Sequence, residues 1–246
     1  MKNTHEWRPS KFVYRNGKLS ASRDPNEVAV GSRVITDIIA AMYHVHLPKH
    51  AKGRLLDLGC GNVPLFEAYR NHVTENACVD WSNTLHRNQF IDHECDLNKT
   101  LPFREGEFDT IILSDVLEHI AEPEHLWHEM GRVLKSSGKL ILSTPFFYPL
   151  HEAPYDYYRY TEFALRRFAE VADFEIQILK TLGGIPEILG DILAKNFQLI
   201  PWVGRSLAGL VQYVTGLFMR TTIGRKVSER TKRDFPFAYF LIAEKR

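Results

Sequence analysis

Cysteine is scarce. The 246-residue chain carries three, Cys60, Cys78 and Cys95. They are too few for a disulfide framework and lack the close paired spacing of a zinc site, so small buried thiols in a reducing compartment are expected. Long hydrophobic runs are missing too. The longest uncharged apolar stretch, residues 206–219, is 14 residues, whereas a spanning helix needs roughly 17–25. Residues 1–10 are polar, without the apolar centre of a signal peptide. A cytoplasmic protein is expected. Neither sign of charge dominates: 31 Lys and Arg stand against 30 Asp and Glu, a net charge of +1. No global positive field draws the chain to nucleic acid, and no such partner is expected. Internal repeats and low-complexity tracts are absent.

What is present is ordinary for a globular protein: 44% hydrophobic and 25% charged residues. Residues 1–26, broken by Pro9, Gly17 and Pro25, read as a mostly irregular arm. Apolar residues at helical spacing predict a helix over 28–46, ended by Pro48 and Gly53. Strands are predicted at 54–58, which suits a buried parallel strand, and at 77–80, 90–95, 108–114, 139–143, 174–179 and 237–243. Helices are predicted at 65–73, 122–134 and 161–172, with Thr161 as an N-cap and Gly138 as a helix-terminating or turn glycine. Strands alternating with helices imply a parallel sheet covered on both faces.

The informative run is Leu55-Leu-Asp-Leu-Gly-Cys-Gly-Asn-Val-Pro64. It reads as a strand, an acid, a Gly-x-Gly turn and a helix. Gly59 and Gly61 permit tight backbone angles and let a ligand lie against the main chain. A dinucleotide fingerprint wants a third glycine at position 64, which is proline, and Asp57 would repel a pyrophosphate. A cationic sulfonium ligand with an amino group would welcome that charge. Asp80, closing the second strand, suits ribose hydroxyls in either case. Taken singly, each acid is as readily a helix cap or a surface charge.

The ordered set resembles the class I S-adenosylmethionine-dependent methyltransferases, of the type 11 kind. Asp57-Leu-Gly-Cys-Gly61 looks like their first motif and Asp80 like their ribose acid. Asp96-Leu97, Leu101-Pro-Phe103, Phe108-Asp109, Ser114-Asp-Val-Leu-Glu-His119 and Arg132-Val-Leu-Lys-Ser-Ser-Gly-Lys-Leu140 follow in the family's order. The likeness covers residues 53–180. It implies a Rossmann-like α/β fold: a seven-stranded, mostly parallel sheet with an antiparallel last strand and helices on both faces. It implies S-adenosylmethionine as cofactor. Gly59 and Gly61 would meet its methionyl and ribose portions, Asp57 its amino group and Asp80 its ribose. Asp96 would take the adenine amino group, Leu97 would lie against the ring, and Ser114 would line the methionine end. Val63 departs from the pattern, where many relatives carry a third glycine.

Methyl transfer from a sulfonium asks the protein for in-line alignment and exclusion of water. A sugar-type hydroxyl acceptor also gains from a general base. The candidates are His119, after the fourth strand, and His151, in the loop after the fifth; a structural histidine is the plainer alternative for each. That loop also carries Tyr155, Asp156, Tyr158 and Arg159, suited to a sugar or aromatic ring with hydroxyl or anionic groups, or equally to anchoring a packed lid. The segment Tyr155-Asp-Tyr-Tyr-Arg-Tyr-Thr161 is similar to bacterial methyltransferases of polysaccharide and glycoconjugate synthesis. Glu118, His119, His125 and His128 do not make a complete metal set, and no metal is expected.

The organisation expected is an N-terminal arm and helix (1–52) capping the ligand side, a cofactor-binding core (53–184), a helical apolar insert (185–234) and a final core strand (235–246). Pro186, Gly190, Pro201 and Gly204 divide the insert into short helices. Its apolar runs are followed by Arg220, Arg225, Lys226, Arg230, Lys232 and Arg233, with Glu229 the single acid before Asp234. A lid, a contact between two copies and a peripheral contact of 185–233 with the inner face of a membrane are the uses open to it. The function expected is O-methylation of a glycan or other small metabolite. A lipid or quinone acceptor and a non-catalytic cofactor-binding scaffold are the alternatives.

Overall fold

The computed structural model describes residues 1–82 and 88–246. In chain order the elements are β1 (Phe12–Arg15), β2 (Lys18–Ala21), α1 (Arg33–His50), β3 (Arg54–Leu58), α2 (Phe66–Tyr69), β4 (Glu75–Asp80), β5 (His93–Glu94) and β6 (Phe108–Ser114). Then come α3 (Pro123–Val133), β7 (Leu134–Pro145), α4 (Glu162–Val171), β8 (Phe174–Leu182), α5 (Ile185–Gln198), α6 (Gly204–Arg220), α7 (Thr222–Thr231) and β9 (Ala238–Lys245). The chain divides into two compact units. Residues 1–8, 45–180 and 239–246 form one, and residues 9–44 and 181–238 the other.

The first unit is built on a seven-stranded sheet of order β5-β4-β3-β6-β7-β9-β8. Strands β3 to β7 pair in parallel. β9 runs antiparallel to β8: Phe237 N–H donates to Leu182 O and Arg246 N–H to Asp173 O, a pairing that descends along one strand as it ascends along the other. Central parallel strands are covered on both faces and so read as unbroken apolar runs. Leu55, Leu56 and Leu58 of β3 and Ile111, Ile112 and Leu113 of β6 are all fully buried. Alternate residues serve opposite faces. Leu56, Leu58, Ile111, Leu113 and Leu140 pack with Leu126, Trp127 and Met130 of α3 and Leu165 of α4. On the other face His46 of α1 lies against Phe240 of β9, their ring centroids 5.3 Å apart. Strand order reverses between β3 and β6, and the crevice beyond the carboxyl ends of such strands is where ligands bind in open α/β sheets.

The second unit joins the hairpin β1–β2 and the start of α1 to helices α5 to α7. The first backbone N–H groups of a helix need acceptors. At α1 a glutamine side chain supplies one, Gln212 Oε1 accepting Val34 N–H at 2.7 Å, and Gln198 Oε1 accepts Gly31 N–H at 2.9 Å in the turn just before the helix. Glu187 holds the other end of the unit. It accepts Gly184 N–H at 2.9 Å and the Ser228 hydroxyl at 2.7 Å, tying the start of α5 to α7.

Several elements differ from the sequence reading. Residues 12–21, expected to be irregular, form a hairpin whose turn uses Asn16 and Gly17 at positive φ. Pro48 does not end α1, which continues to His50; in the last turn a missing N–H removes one bond, and Ala51 N–H closes the helix on Leu47 O. The helix expected over 65–73 is one turn, Phe66–Tyr69. Gly138 lies inside β7, and Ser137 takes the left-handed turn conformation at φ 61°. Gly190 does not divide the insert either. A Cβ there would lie 2.4 Å from Thr215 Oγ1, so its absence lets α6 approach α5.

Candidate active site

The turn after β3 is held from β4. Gly59 and Cys60 N–H both donate to Val79 O, at 2.8 and 3.0 Å. Asp80 then accepts Gly61 N–H on Oδ2 and Trp81 N–H on Oδ1, each at 2.8 Å. Gly59 sits at φ 66°, and a Cβ on it would fall 2.5 Å from Val116 Cγ2. That close approach joins the glycine turn to the segment after β6. Val63, the departure from the family pattern, adopts φ 50°, a region that β-branched residues avoid. Its carbonyl accepts the indole N–H of Trp7 at 3.1 Å, and Trp7 packs edge-on to Phe66 at 5.2 Å.

Asp57 is buried and accepts the Tyr69 hydroxyl at 3.2 Å. Burial pushes its carboxyl up to about 7; the Tyr69 bond offsets part of this and the charge of Asp80 adds to it. Two buried carboxylates this close raise the cost of ionising Asp57, a cost that a neighbouring cationic group would offset. Such a pair would favour the ammonium and sulfonium of an S-adenosyl ligand over a pyrophosphate.

The remaining cofactor candidates are placed as follows. Asp96 closes its own turn, accepting Asn98 N–H and Asn98 Nδ2 at 2.9 Å each. Burial works to raise its pKa, but these bonds and Lys99 outweigh it and hold the carboxyl low. Leu97 is buried in the core cluster. The Ser114 hydroxyl meets that of Ser143 at 3.3 Å, and Ser143 donates to Asp115 at 2.7 Å.

The loop after β7 is knitted back to the turn Leu117–His119. Tyr157 and Tyr158 N–H both donate to Glu118 O, and the Tyr160 hydroxyl donates to Leu117 O. Tyr158 OH donates to Ala121 O at 3.2 Å. Asp156 and Arg159 are spent on each other through a two-pronged pair of 2.5 and 2.7 Å. Arg159 holds the Asp156 carboxyl far below the usual range. Asp156 also accepts His151 N–H at 2.9 Å, so this pair shapes the loop around the histidine. Tyr155 meets Trp81 edge-to-face at 4.7 Å, which brings the residue after Asp80 against the same loop.

His119 and His151 come together, ring centroids 4.7 Å apart. His119 Nδ1 faces Tyr155 O at 3.1 Å, and His151 Nδ1 faces Pro149 O at 3.3 Å. Beneath them lies Glu118, with a fully buried side chain and Oε1 at 3.8 Å from the Nε2 of each histidine. Burial lowers the pKa of His151, but Glu118 and Asp156 outweigh it and the net shift is upward. Burial raises that of Glu118. The sequence reading passed over Trp7, Tyr69 and Trp81 as site residues. Aromatic side chains outside a motif carry no local signal of where the fold will put them.

Residues 56–142 match the family described as a methyltransferase domain. A ubiquinone biosynthesis O-methyltransferase of Coxiella burnetii is 32% identical over 103 residues, which are 38% of this chain and 44% of that protein. The alignment thus spans less than half of that relative. Among solved structures, the [4+2]-cyclase SpnF superposes with a TM-score of 0.55 at 18% identity, over 96% of this chain and 86% of that one. An S-adenosylmethionine-dependent methyltransferase from Mesorhizobium loti gives 0.51 at 15%, over 81% and 94%. At such identities the likeness is one of fold, and a cyclase among these structures shows that the fold alone does not fix the reaction. Over residues 56–142 the chain thus resembles a methyltransferase domain, and its seven-stranded sheet is the fold it shares with these structures. Among the described residues no helix is long and apolar enough to cross a membrane.

Proposed function

We propose that the protein transfers the methyl group of S-adenosylmethionine to an oxygen of a small acceptor, with a glycan or other metabolite as the leading class. The observation that carries this reading is the pair His119 and His151 in the segments after β6 and β7, linked through Val116 and Gly59 to the cofactor turn. Both Nδ1 atoms face carbonyl oxygens, which favours the Nδ1–H tautomer and leaves Nε2 with a lone pair. A neutral imidazole presented in this way can take the proton of an acceptor hydroxyl as the methyl group arrives. Bound cofactor supplies the sulfonium leaving group. Asp57, Gly59, Gly61 and Asp80 hold and orient it in this reading, with Asp96, Leu97 and Ser114 completing the pocket. Tyr155 and Tyr158 offer rings for the acceptor to stack on, while Asp156 and Arg159 hold the loop.

The test is methyl transfer from radiolabelled cofactor into a mixture of glycans, lipids and metabolites. His119→Ala or His151→Ala should lower turnover by about 10²–10⁴ if that histidine is the base, with cofactor affinity unchanged. Wild-type turnover in both variants removes the histidine-base reading. Absence of any labelled product favours a non-catalytic scaffold.

A second reading, a lipid or quinone acceptor, is favoured by one feature of the α5–α7 unit. Leu189 and Leu193 on α5, and Leu210, Tyr213 and Leu217 on α6, form exposed apolar stripes, with Trp202 wholly exposed between the helices. Exposed Arg220, Arg225, Lys226 and Arg230 follow. Apolar stripes beside cationic residues suit an anionic bilayer surface, and the name of the Coxiella relative includes a quinone pathway. Partition of labelled product into chloroform separates this acceptor class from the first.

A further inference from the structure

We infer that Glu118, His119 and His151 bind a divalent transition-metal ion of the zinc type, with one position left open for an acceptor oxygen. Among the described residues their ligand atoms lie within 4.8 Å of one another. The side chains are 0%, 13% and 26% exposed, so the donors sit at the base of a partly covered site.

Two buried ligand atoms of this cluster lack partners. Glu118 Oε1 and His119 Nε2 are buried without a hydrogen bond. His151 Nε2 stands 3.8 Å from the same Oε1, too far for a hydrogen bond. A buried carboxylate oxygen left bare is costly and calls for an explanation. The far atom of each group is meanwhile held. His119 Nδ1 is on Tyr155 O at 3.1 Å, and His151 Nδ1 is on Pro149 O and Asp156 Oδ2 at 3.3 Å each. Glu118 Oε2 accepts the Thr144 hydroxyl at 3.3 Å. Acceptors behind both histidines put the ring protons on Nδ1 and turn two Nε2 lone pairs toward a bare carboxylate oxygen. Three acceptors facing one another repel unless a cation lies between them.

Histidines whose remaining N–H is fixed by a carbonyl or carboxylate are the usual form of metal-bound histidine. Two imidazoles and one carboxylate with a free fourth position are a donor set of catalytic zinc. Zinc–ligand lengths of about 2.0–2.2 Å in a tetrahedron separate ligand atoms by about 3.4 Å, so small side-chain rotations close the observed 3.8 Å contacts on an ion. Glu152 Oε2, on a half-exposed side chain, lies 3.9 Å from His119 Nε2.

Binding of the ion goes beyond the methyl-transfer reading; its use in the reaction rests on methyl transfer to oxygen and replaces the histidine base, because an Nε2 bound to the ion has no lone pair left to take a proton. An acceptor hydroxyl on the ion would lose its proton to solvent more readily. Its oxygen would then form the O–CH3 bond while the C–S bond breaks, and the bond's electron pair would stay on sulfur, giving neutral S-adenosylhomocysteine.

The experiment is calorimetric titration of the chelator-stripped full chain with Zn²⁺, and of a parallel sample with Co²⁺ followed by its visible spectrum. Wild type should bind one ion per chain. His151→Ala and Glu118→Gln should each weaken binding by at least about tenfold, since even outer partners of metal ligands matter by about 10–100-fold. The exposed His128→Ala should leave it unchanged, with circular dichroism showing all three folded. No binding by wild type, or equal binding by wild type and a folded His151→Ala, overturns the inference. A metal-free chain that still transfers methyl groups also overturns the ion's use while leaving the methyl-transfer reading in place. One bound ion without turnover on any acceptor does the reverse.

Discussion

The backbone N–H of Gly61 donates to Asp80 Oδ2 at 2.8 Å, so the acid at the end of β4 fixes the glycine turn at the end of β3. Asp80 therefore has a structural duty besides any contact with a ribose. Asp80→Ala would leave the Gly61 and Trp81 N–H groups without their acceptor. We expect loss of about 1–3 kcal/mol of stability together with a tenfold or greater loss of cofactor affinity, measured by urea unfolding and calorimetry on the same variant.

Asp57 gives the proposed cofactor site a pH dependence. With its carboxyl raised to about 7 in the folded chain, Asp57 is largely protonated at pH 5 and ionised at pH 8. The folded state holds this proton where the unfolded state has lost it. Asp57 therefore lowers stability as pH rises from about 4 to 7, and its contribution is level above that. A bound ammonium or sulfonium favours the ionised form. Affinity for S-adenosylhomocysteine, which keeps the ammonium, should rise from pH 5 to 8, and binding near pH 6 should release a proton. Calorimetry in buffers of different ionisation enthalpy measures that proton, and Asp57→Asn should abolish the release.

Gly59→Ala places a methyl group against Val116 at a positive φ. The left-handed conformation alone is expected to cost roughly 1–2 kcal/mol, with the clash added. Gly59→Ala combined with Val116→Ala should recover the clash and leave the conformational part, read as a partial return of Tm.

His46 gives the sheet an acid limit. Burial, with Lys180, His50 and Lys49 nearby, holds it down to about 4. The unfolded chain takes up this proton below about 6.5 and the folded chain only near 4, so stability is lost as pH falls between the two, by up to about 3 kcal/mol. His46→Leu, against Phe240, should flatten the Tm profile between pH 6.5 and 4.

Glu187 couples α5 to α7. Glu187→Ala strands Gly184 N–H and the Ser228 hydroxyl, and a loss of about 2–3 kcal/mol is expected. Protease cleavage within 185–231 should accelerate in this variant.

Much of the sheet was legible because each strand carries its own pattern. Arg54–Leu58 and Phe108–Ser114 appear with the limits read from sequence. So does the Thr161 cap of α4, which accepts Ala164 N–H at 3.2 Å. The hairpin at 12–21 was not legible, since its strands are four residues each. The glycine turn announced itself through spacing. By contrast, Glu118, His119 and His151 were not read as one cluster, because 32 residues separate His119 from His151 and the loop knitted to Glu118 O brings them together. The bond between Asp156 and Arg159 was equally hidden: the sequence shows an acid and a base three apart, not whether they face a ligand or each other.

Calorimetry of the full chain with S-adenosylmethionine, S-adenosylhomocysteine and NAD is the most direct test of the proposed site at Asp57, the glycine turn and Asp80. Saturable binding of both sulfur nucleosides, weakened at least tenfold by Asp80→Ala and absent for NAD, is the predicted result. NAD binding with no response to either sulfur nucleoside would contradict it.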